Sequence, residues 1–163
     1  MLAKAPVAGR VKTRLCPPCT AAEAAGIARA ALADTLDAAL ASPADRVVLA
    51  LAGPPGPWLP AGVVVVGQGS GPLDRRLAHA WSQVRGPALQ IGMDTPQVTA
   101  ALLARSFAAL TDGDADAVLG PAEDGGWWAV GLLRPDPAAF TGVATSRPDT
   151  GARQLARLRS RGR

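Results

Sequence analysis

Residues 88–97 read Ala88-Leu89-Gln90-Ile91-Gly92-Met93-Asp94-Thr95-Pro96-Gln97, and this stretch decides the fold class. A short apolar run closed by Gly92 predicts a buried strand over 88–92. Thr95 followed by Pro96 pairs a helix-capping residue with a first-turn proline, which predicts a helix from there to about residue 110. Between the two stands Asp94, an acid held where a strand hands over to a helix. The same alternation extends outward in both directions. Residues 1–4 read as the end of a strand, and Thr20 caps a long helix in which Ile27, Leu32, Leu36 and Leu40 recur at near-helical spacing. Residues 46–52 and 63–66 are predicted strands, 73–84 a helix, and 116–120 and 127–133 the last strands. Continuous apolar strands alternating with helices predict an α/β fold whose sheet is mostly parallel and covered on both faces.

In such a fold, ligands sit beyond the C-terminal ends of the strands. Three polar segments are expected at such ends: the loop 5–19, residues 93–96, and residues 121–126.

Length and composition bound the alternatives. At 163 residues, 48% hydrophobic, the chain is expected to form one domain with a substantial core, residues 152–163 forming a basic tail. No apolar run reaches the roughly 20 residues of a membrane span, so a non-membrane, cytoplasmic protein is expected. The net charge of +4 invites a nucleic-acid reading. Five arginines (153, 157, 159, 161 and 163) lie in the last twelve residues, however. Taking them from +4 leaves −1, and taking Lys4, Arg10, Lys12 and Arg14 as well leaves −5. The body is acidic between two basic ends, so nucleic acid is not the expected partner.

The first basic end is the more informative. Lys4, Arg10, Lys12 and Arg14 crowd Gly9, an arrangement that can wrap phosphates or simply be solvated. It lacks the Walker pattern. Residues 67–72, Gly-Gln-Gly-Ser-Gly-Pro, follow a strand and precede a helix, yet the third glycine comes one residue early for a dinucleotide fingerprint, and a glycine-rich turn is expected. Cys16 and Cys19 have CxxC spacing, but zinc would need two further ligands and His79 is the sole histidine; two incidental thiols are expected. Asp94 suits a hard cation such as Mg²⁺, which shares carboxylate and phosphate oxygens, or else it is a turn residue. Glu123-Asp124-Gly125-Gly126 offers two carboxylates and close backbone approach, with a tight hairpin turn as the alternative. Asp112, Asp114 and Asp116 are read as a solvated loop, and Trp127 and Trp128 as packed in a sheet rather than stacked on a ligand.

Three segments together, AKAPVAGRVKTRL, IGMDTPQ and LGPAEDGGWWAVGL, resemble the bacterial nucleotide-diphospho-sugar transferase-like family, a group of glycosyltransferase-like proteins related to molybdopterin and 2-phospholactate guanylyltransferases. The similarity runs over nearly the whole chain. It implies a three-layer α/β/α GT-A-like (Rossmann-like) sandwich, a nucleotide or nucleotide-sugar substrate, a small-molecule acceptor and a divalent metal, Mg²⁺ or Mn²⁺. It places Lys4, Ala5, Gly9, Arg10, Lys12, Arg14, Gly69, Gly71 and Arg76 around the nucleotide. Asp94 and Asp124 become the metal positions and, with Lys12, the catalytic ones, while Glu123, Gly125, Gly126 and Trp127 fall on the acceptor side. Two departures stand out: only three residues precede Lys4, and the family's tryptophan-serine-threonine-proline stretch appears as Ala144-Thr145-Ser146-Arg147-Pro148. The implied activity is sugar transfer from a nucleotide donor. Nucleotidyl transfer to a small phosphorylated acceptor, or nucleotide binding without turnover, is the alternative.

Overall fold

The computed structural model describes residues 1–163, which divide into two compact units. The first comprises residues 1–66 and 92–103. Its sheet has the order β1 (Leu2–Lys4), β2 (Val47–Ala52), β3 (Val63–Gly67). β1 and β2 run parallel, Ala3 facing Leu51. Parallel neighbours need a long crossover, and here it carries helix α1 (Ala21–Leu40). The N-terminus of α1 is closed by a capping box: Thr20 Oγ1 accepts from the Glu23 amide at 3.2 Å, and Glu23 Oε2 accepts from the Thr20 amide at 2.7 Å. Those bonds to Thr20 stabilise the charged carboxylate and hold Glu23 below its ordinary value.

Leu32 and Leu36 of α1 are fully buried with Leu49, Leu51, Ala3 and Ala5. Each such leucine contributes roughly 1.5–3 kcal/mol by leaving water. Ile27 and Leu40, in step with them in sequence, are instead exposed; the buried face is completed by Ala24, Ala25, Ala28, Thr35 and Ala39. Small residues let the helix lie close to what it covers.

The second unit comprises residues 67–91 and 104–163. Its sheet has the order β4 (Ala88–Ile91), β6 (Trp127–Leu132), β5 (Ala117–Pro121), and both pairings are antiparallel. The expected mostly parallel sheet therefore holds for β1 and β2 but not here. The reason is connection length, since only residues 122–126 join β5 to β6, far too few for a parallel crossover. Helix α2 (Leu73–Ser82) packs on a 3-10 turn at Pro137–Ala139, with Trp81 stacked on Phe140 at 5.2 Å between ring centroids.

Helix α3 (Ala100–Thr111) begins four residues later than Thr95-Pro96 predicts. Thr99 takes the cap, its Oγ1 accepting from the Leu102 amide at 3.1 Å. Thr95 serves a turn instead, donating to the Gly92 carbonyl at 3.1 Å and accepting from the Val98 amide at 3.0 Å.

Most of the basic tail at 152–163 lies in helix α4 (Thr150–Ser160), in which Gln154 and Leu158 are buried. The Gln154 amide donates to the Ala139 carbonyl at 2.9 Å. Arg153 pairs with Asp149 at 2.7 Å and holds that carboxyl below its usual range, and Arg163 reaches Asp116 at 3.7 Å. Part of the basic excess is thus matched within the fold. No helix is long and apolar enough to cross a membrane.

Candidate functional site

In the first unit the loop after β1 begins still tied to the sheet. The Ala5 amide donates to the Ala52 carbonyl at 2.9 Å, and Ala5 is buried tightly enough that a Cβ on Gly53 would come within 2.9 Å of its own. The Lys4 amide donates to Met93 Sδ at 3.3 Å, tying the end of β1 to the segment that follows Gly92. Beyond Ala5 the chain turns at Val7, whose carbonyl accepts from the Arg10 amide at 3.0 Å. Gly9 sits at φ +74° in open space, so its backbone is free to meet a ligand.

Lys12 then takes the left-handed conformation, φ 48° and ψ 33°, ahead of a 3-10 turn at Thr13–Leu15. That backbone is unfavourable for a lysine. It leads to a specific partner, because Lys12 Nζ donates to Asp94 Oδ2 across 82 residues of sequence. Of the four cations crowding Gly9, Lys12 alone has an acidic partner; Lys4, Arg10 and Arg14 are exposed and form no ion pair. Two segments singled out separately in the sequence, 4–14 and 93–96, thus meet in one place. The side chains of Lys12 and Asp94 are 32% and 46% exposed, open enough for a ligand to reach both.

The donor set bears on the expected Mg²⁺ or Mn²⁺. No group of three or more His, Cys, Asp or Glu side chains converges anywhere in the chain. Asp94 offers a single half-exposed carboxylate. Such a set does not make an all-protein cage, but it fits the way Mg²⁺ is commonly held, by one or two carboxylates together with waters and substrate phosphates.

The second unit holds the other candidates. Arg76 on α2 is aimed by Gln68, whose side-chain oxygen accepts from Nη1; Gln68 is buried, which fixes the pair. Gly69 (φ +76°) passes so close to His79 that a Cβ would lie 2.9 Å from its ring, so His79 packs against the loop. Gly71 (φ +91°) completes the turn before α2. Asp74 accepts from the Gly142 amide at 2.9 Å.

Glu123, Asp124, Gly125 and Gly126 form the hairpin turn between β5 and β6. Asp124 Oδ1 accepts from the Gly126 amide at 2.9 Å, and the Gly125 amide donates to the Ala122 carbonyl at 3.0 Å. One Asp124 oxygen therefore shapes the turn. The turn is also docked on the start of α4, where the Gly151 amide donates to the Gly125 carbonyl at 2.8 Å. Trp127 opens β6, and the Trp128 indole lies over Gly120, as packing in the sheet predicts.

Asp94 belongs to the first unit; Asp124, Trp127, Gly69, Gly71 and Arg76 belong to the second. Cys16 and Cys19 are free thiols beside the 3-10 turn. Asp116, read from sequence as part of a solvated loop, pairs with Arg134 at 2.9 Å. Two partners had no sequence signal: Met93, which looks like a linker residue, and Gln68, hidden in a glycine-rich run.

Comparison with known proteins adds two findings. Residues 25–147 match the sequence profile of a family described as uncharacterized protein conserved in bacteria (DUF2064). The structure is similar to a crystal structure from Desulfovibrio desulfuricans G20, a protein provisionally described as a nucleotide-diphospho-sugar transferase. The TM-score is 0.83 at 24% identity, over 98% of this chain and 73% of that one. At that identity the likeness shows a shared fold. No curated protein matches the sequence.

Proposed function

The chain belongs to the DUF2064 family, and from that premise and its site we propose that it is a metal-dependent transferase that uses a nucleotide-sugar donor. The observation that carries this reading is the junction of the basic loop with Asp94. Three unpaired cations, a glycine open to close approach and a cation-carboxylate pair occupy one region of the first unit. A diphosphate is the ligand whose chemistry matches all of them. The provisional description of the Desulfovibrio protein, which shares this fold, points to the same substrate class.

In this reading Lys4, Arg10, Lys12 and Arg14 neutralise the diphosphate, and the Ala5 and Gly9 backbone lies against it. Asp94 would hold Mg²⁺ or Mn²⁺ jointly with the phosphate oxygens, where the ion supplies Lewis-acid stabilisation of leaving-group charge. The protein's own contribution is positioning and fixed positive charge. A GT-A-like arrangement is part of the same proposal.

The test is product analysis. The protein is incubated with Mg²⁺ and a panel of nucleotide sugars and nucleoside triphosphates, with small phosphorylated and hydroxylated acceptors. Release of a nucleoside diphosphate, reduced about 10²–10³-fold in Asp94→Asn, is the expected result, the size being that of losing one preorganised electrostatic contact. Release of pyrophosphate instead would assign nucleotidyl transfer. Binding with neither product would leave a nucleotide-binding module and overturn the enzyme.

A further inference from the structure

Asp94 Oδ2 accepts from Lys12 Nζ in this structure. We propose that Lys12 is a placeholder for the divalent ion: it occupies the Asp94 carboxylate in the ligand-free protein, and metal and Lys12 compete for that carboxylate. This inference rests on the assignment of Asp94 as the metal position, and deepens it.

Three features support the competition. Asp94 belongs to no group of three or more metal-ligating side chains, so a second positive charge beside Lys12 finds no acidic cluster to balance it. The Lys12 backbone is held in a left-handed conformation that lysine rarely adopts, and the side chain it projects makes the one ion pair of the basic loop. The pair is partly exposed on both sides. Exposed pairs are weak, so Lys12 can be displaced without disrupting the fold.

The consequence is a linkage between metal and nucleotide. An incoming diphosphate offers Lys12 a new anionic partner, and the departure of Lys12 frees Asp94 for the ion. By reciprocity, whatever draws Lys12 away raises metal affinity. Metal alone therefore meets a site already neutralised, whereas metal entering with a diphosphate does not.

The competition is measured without turnover or nucleotide. Mn²⁺ binding is followed by the electron paramagnetic resonance signal of the free ion, for the wild type, Lys12→Met, Asp94→Asn and the double variant. Lys12→Asn serves as a second neutral variant, because asparagine tolerates the left-handed backbone; circular dichroism checks that each is folded. Removing an exposed ion-pair partner is expected to tighten Mn²⁺ binding about two- to fivefold in Lys12→Met and Lys12→Asn. Asp94→Asn and the double variant should lose that binding. If both Lys12 variants bind Mn²⁺ no more tightly than the wild type while Asp94→Asn abolishes binding, the placeholder role is overturned and the metal assignment stands. If Asp94→Asn binds Mn²⁺ like the wild type, the metal assignment fails, and the placeholder with it.

Discussion

Replacing Gly125 with alanine should be among the most damaging single-methyl changes the chain can suffer. The residue sits at φ +82°, and a Cβ built there would lie 1.8 Å from the Pro148 carbonyl oxygen, 2.6 Å from its carbon and 3.0 Å from its Cα. Those are backbone atoms, so no side chain can swing away. The left-handed conformation costs a non-glycine residue roughly 1–2 kcal/mol. Forced repacking adds about 1–3 kcal/mol, for a total of about 2–5 kcal/mol. In a chain of this length each kcal/mol lowers Tm by about 2–4 °C, so a fall of about 4–20 °C is expected by calorimetry. Gly86→Ala is the control within the same unit. At φ +71° with nothing within 4 Å of its Cβ, it should show the conformational cost alone, about 1–2 kcal/mol. Equal losses in the two variants would refute the close docking of the 122–126 turn on the segment before α4. Because that turn carries Glu123 and Asp124, the same result would remove the physical reason for their fixed position.

Three further outcomes follow from other parts of the fold. Thr20→Ala removes the α1 cap and should cost about 0.5–2 kcal/mol in a urea titration. The Thr20 amide and, second to it, the Thr20 hydroxyl lower the Glu23 pKa, so their contribution is present above the ordinary carboxylate value and fades as pH falls through the lowered one; Thr20→Ala keeps the amide and loses the hydroxyl, so the acid-side decline should be only slightly shallower. Phe140→Ala, which empties a fully buried position stacked on Trp81, should destabilise by about 3–5 kcal/mol in guanidinium denaturation. Cys16→Ser with Cys19→Ser should leave nucleotide binding and its response to reductant unchanged in a titration with dithiothreitol, and a reductant-dependent affinity in the native chain would argue for a redox role instead.

Much of this structure is legible in the sequence where local chemistry decides it. Thr20 followed three residues later by Glu23 specifies a capping box, and the box forms. Strand and helix order follows from the alternation of apolar runs. What sequence hid was non-local choice. Thr95-Pro96 has the chemistry of a helix start, yet Thr99 four residues on has equal capping ability, and the chain uses Thr95 to close a turn on Gly92. The antiparallel β5-β6 pair was available from arithmetic, because the linker of residues 122–126 is too short for a crossover. The continuous apolar runs of the predicted strands hid it. For the site, residue types pointed separately to the basic loop and to Asp94. Their meeting through Lys12 depends on a left-handed lysine that no spacing rule anticipates. Arg76 was identified but its orientation was not, since a glutamine inside a glycine-rich run carries no sign that it will be buried.

The central claim is that the loop carrying Lys12 and the carboxylate of Asp94 form a diphosphate site completed by metal. Its most direct test is a thermal-shift panel of nucleoside diphosphates and nucleotide sugars, with and without Mg²⁺, on the native chain and on Asp94→Asn. A ligand at a hundred times its Kd stabilises the folded state by ~2.7 kcal/mol, enough for a clear rise in Tm. The account predicts such a rise for at least one diphosphate compound, larger with Mg²⁺ than without, and loss of the Mg²⁺-dependent part in Asp94→Asn. No rise with any compound, or the same Mg²⁺-dependent rise in both proteins, would contradict it.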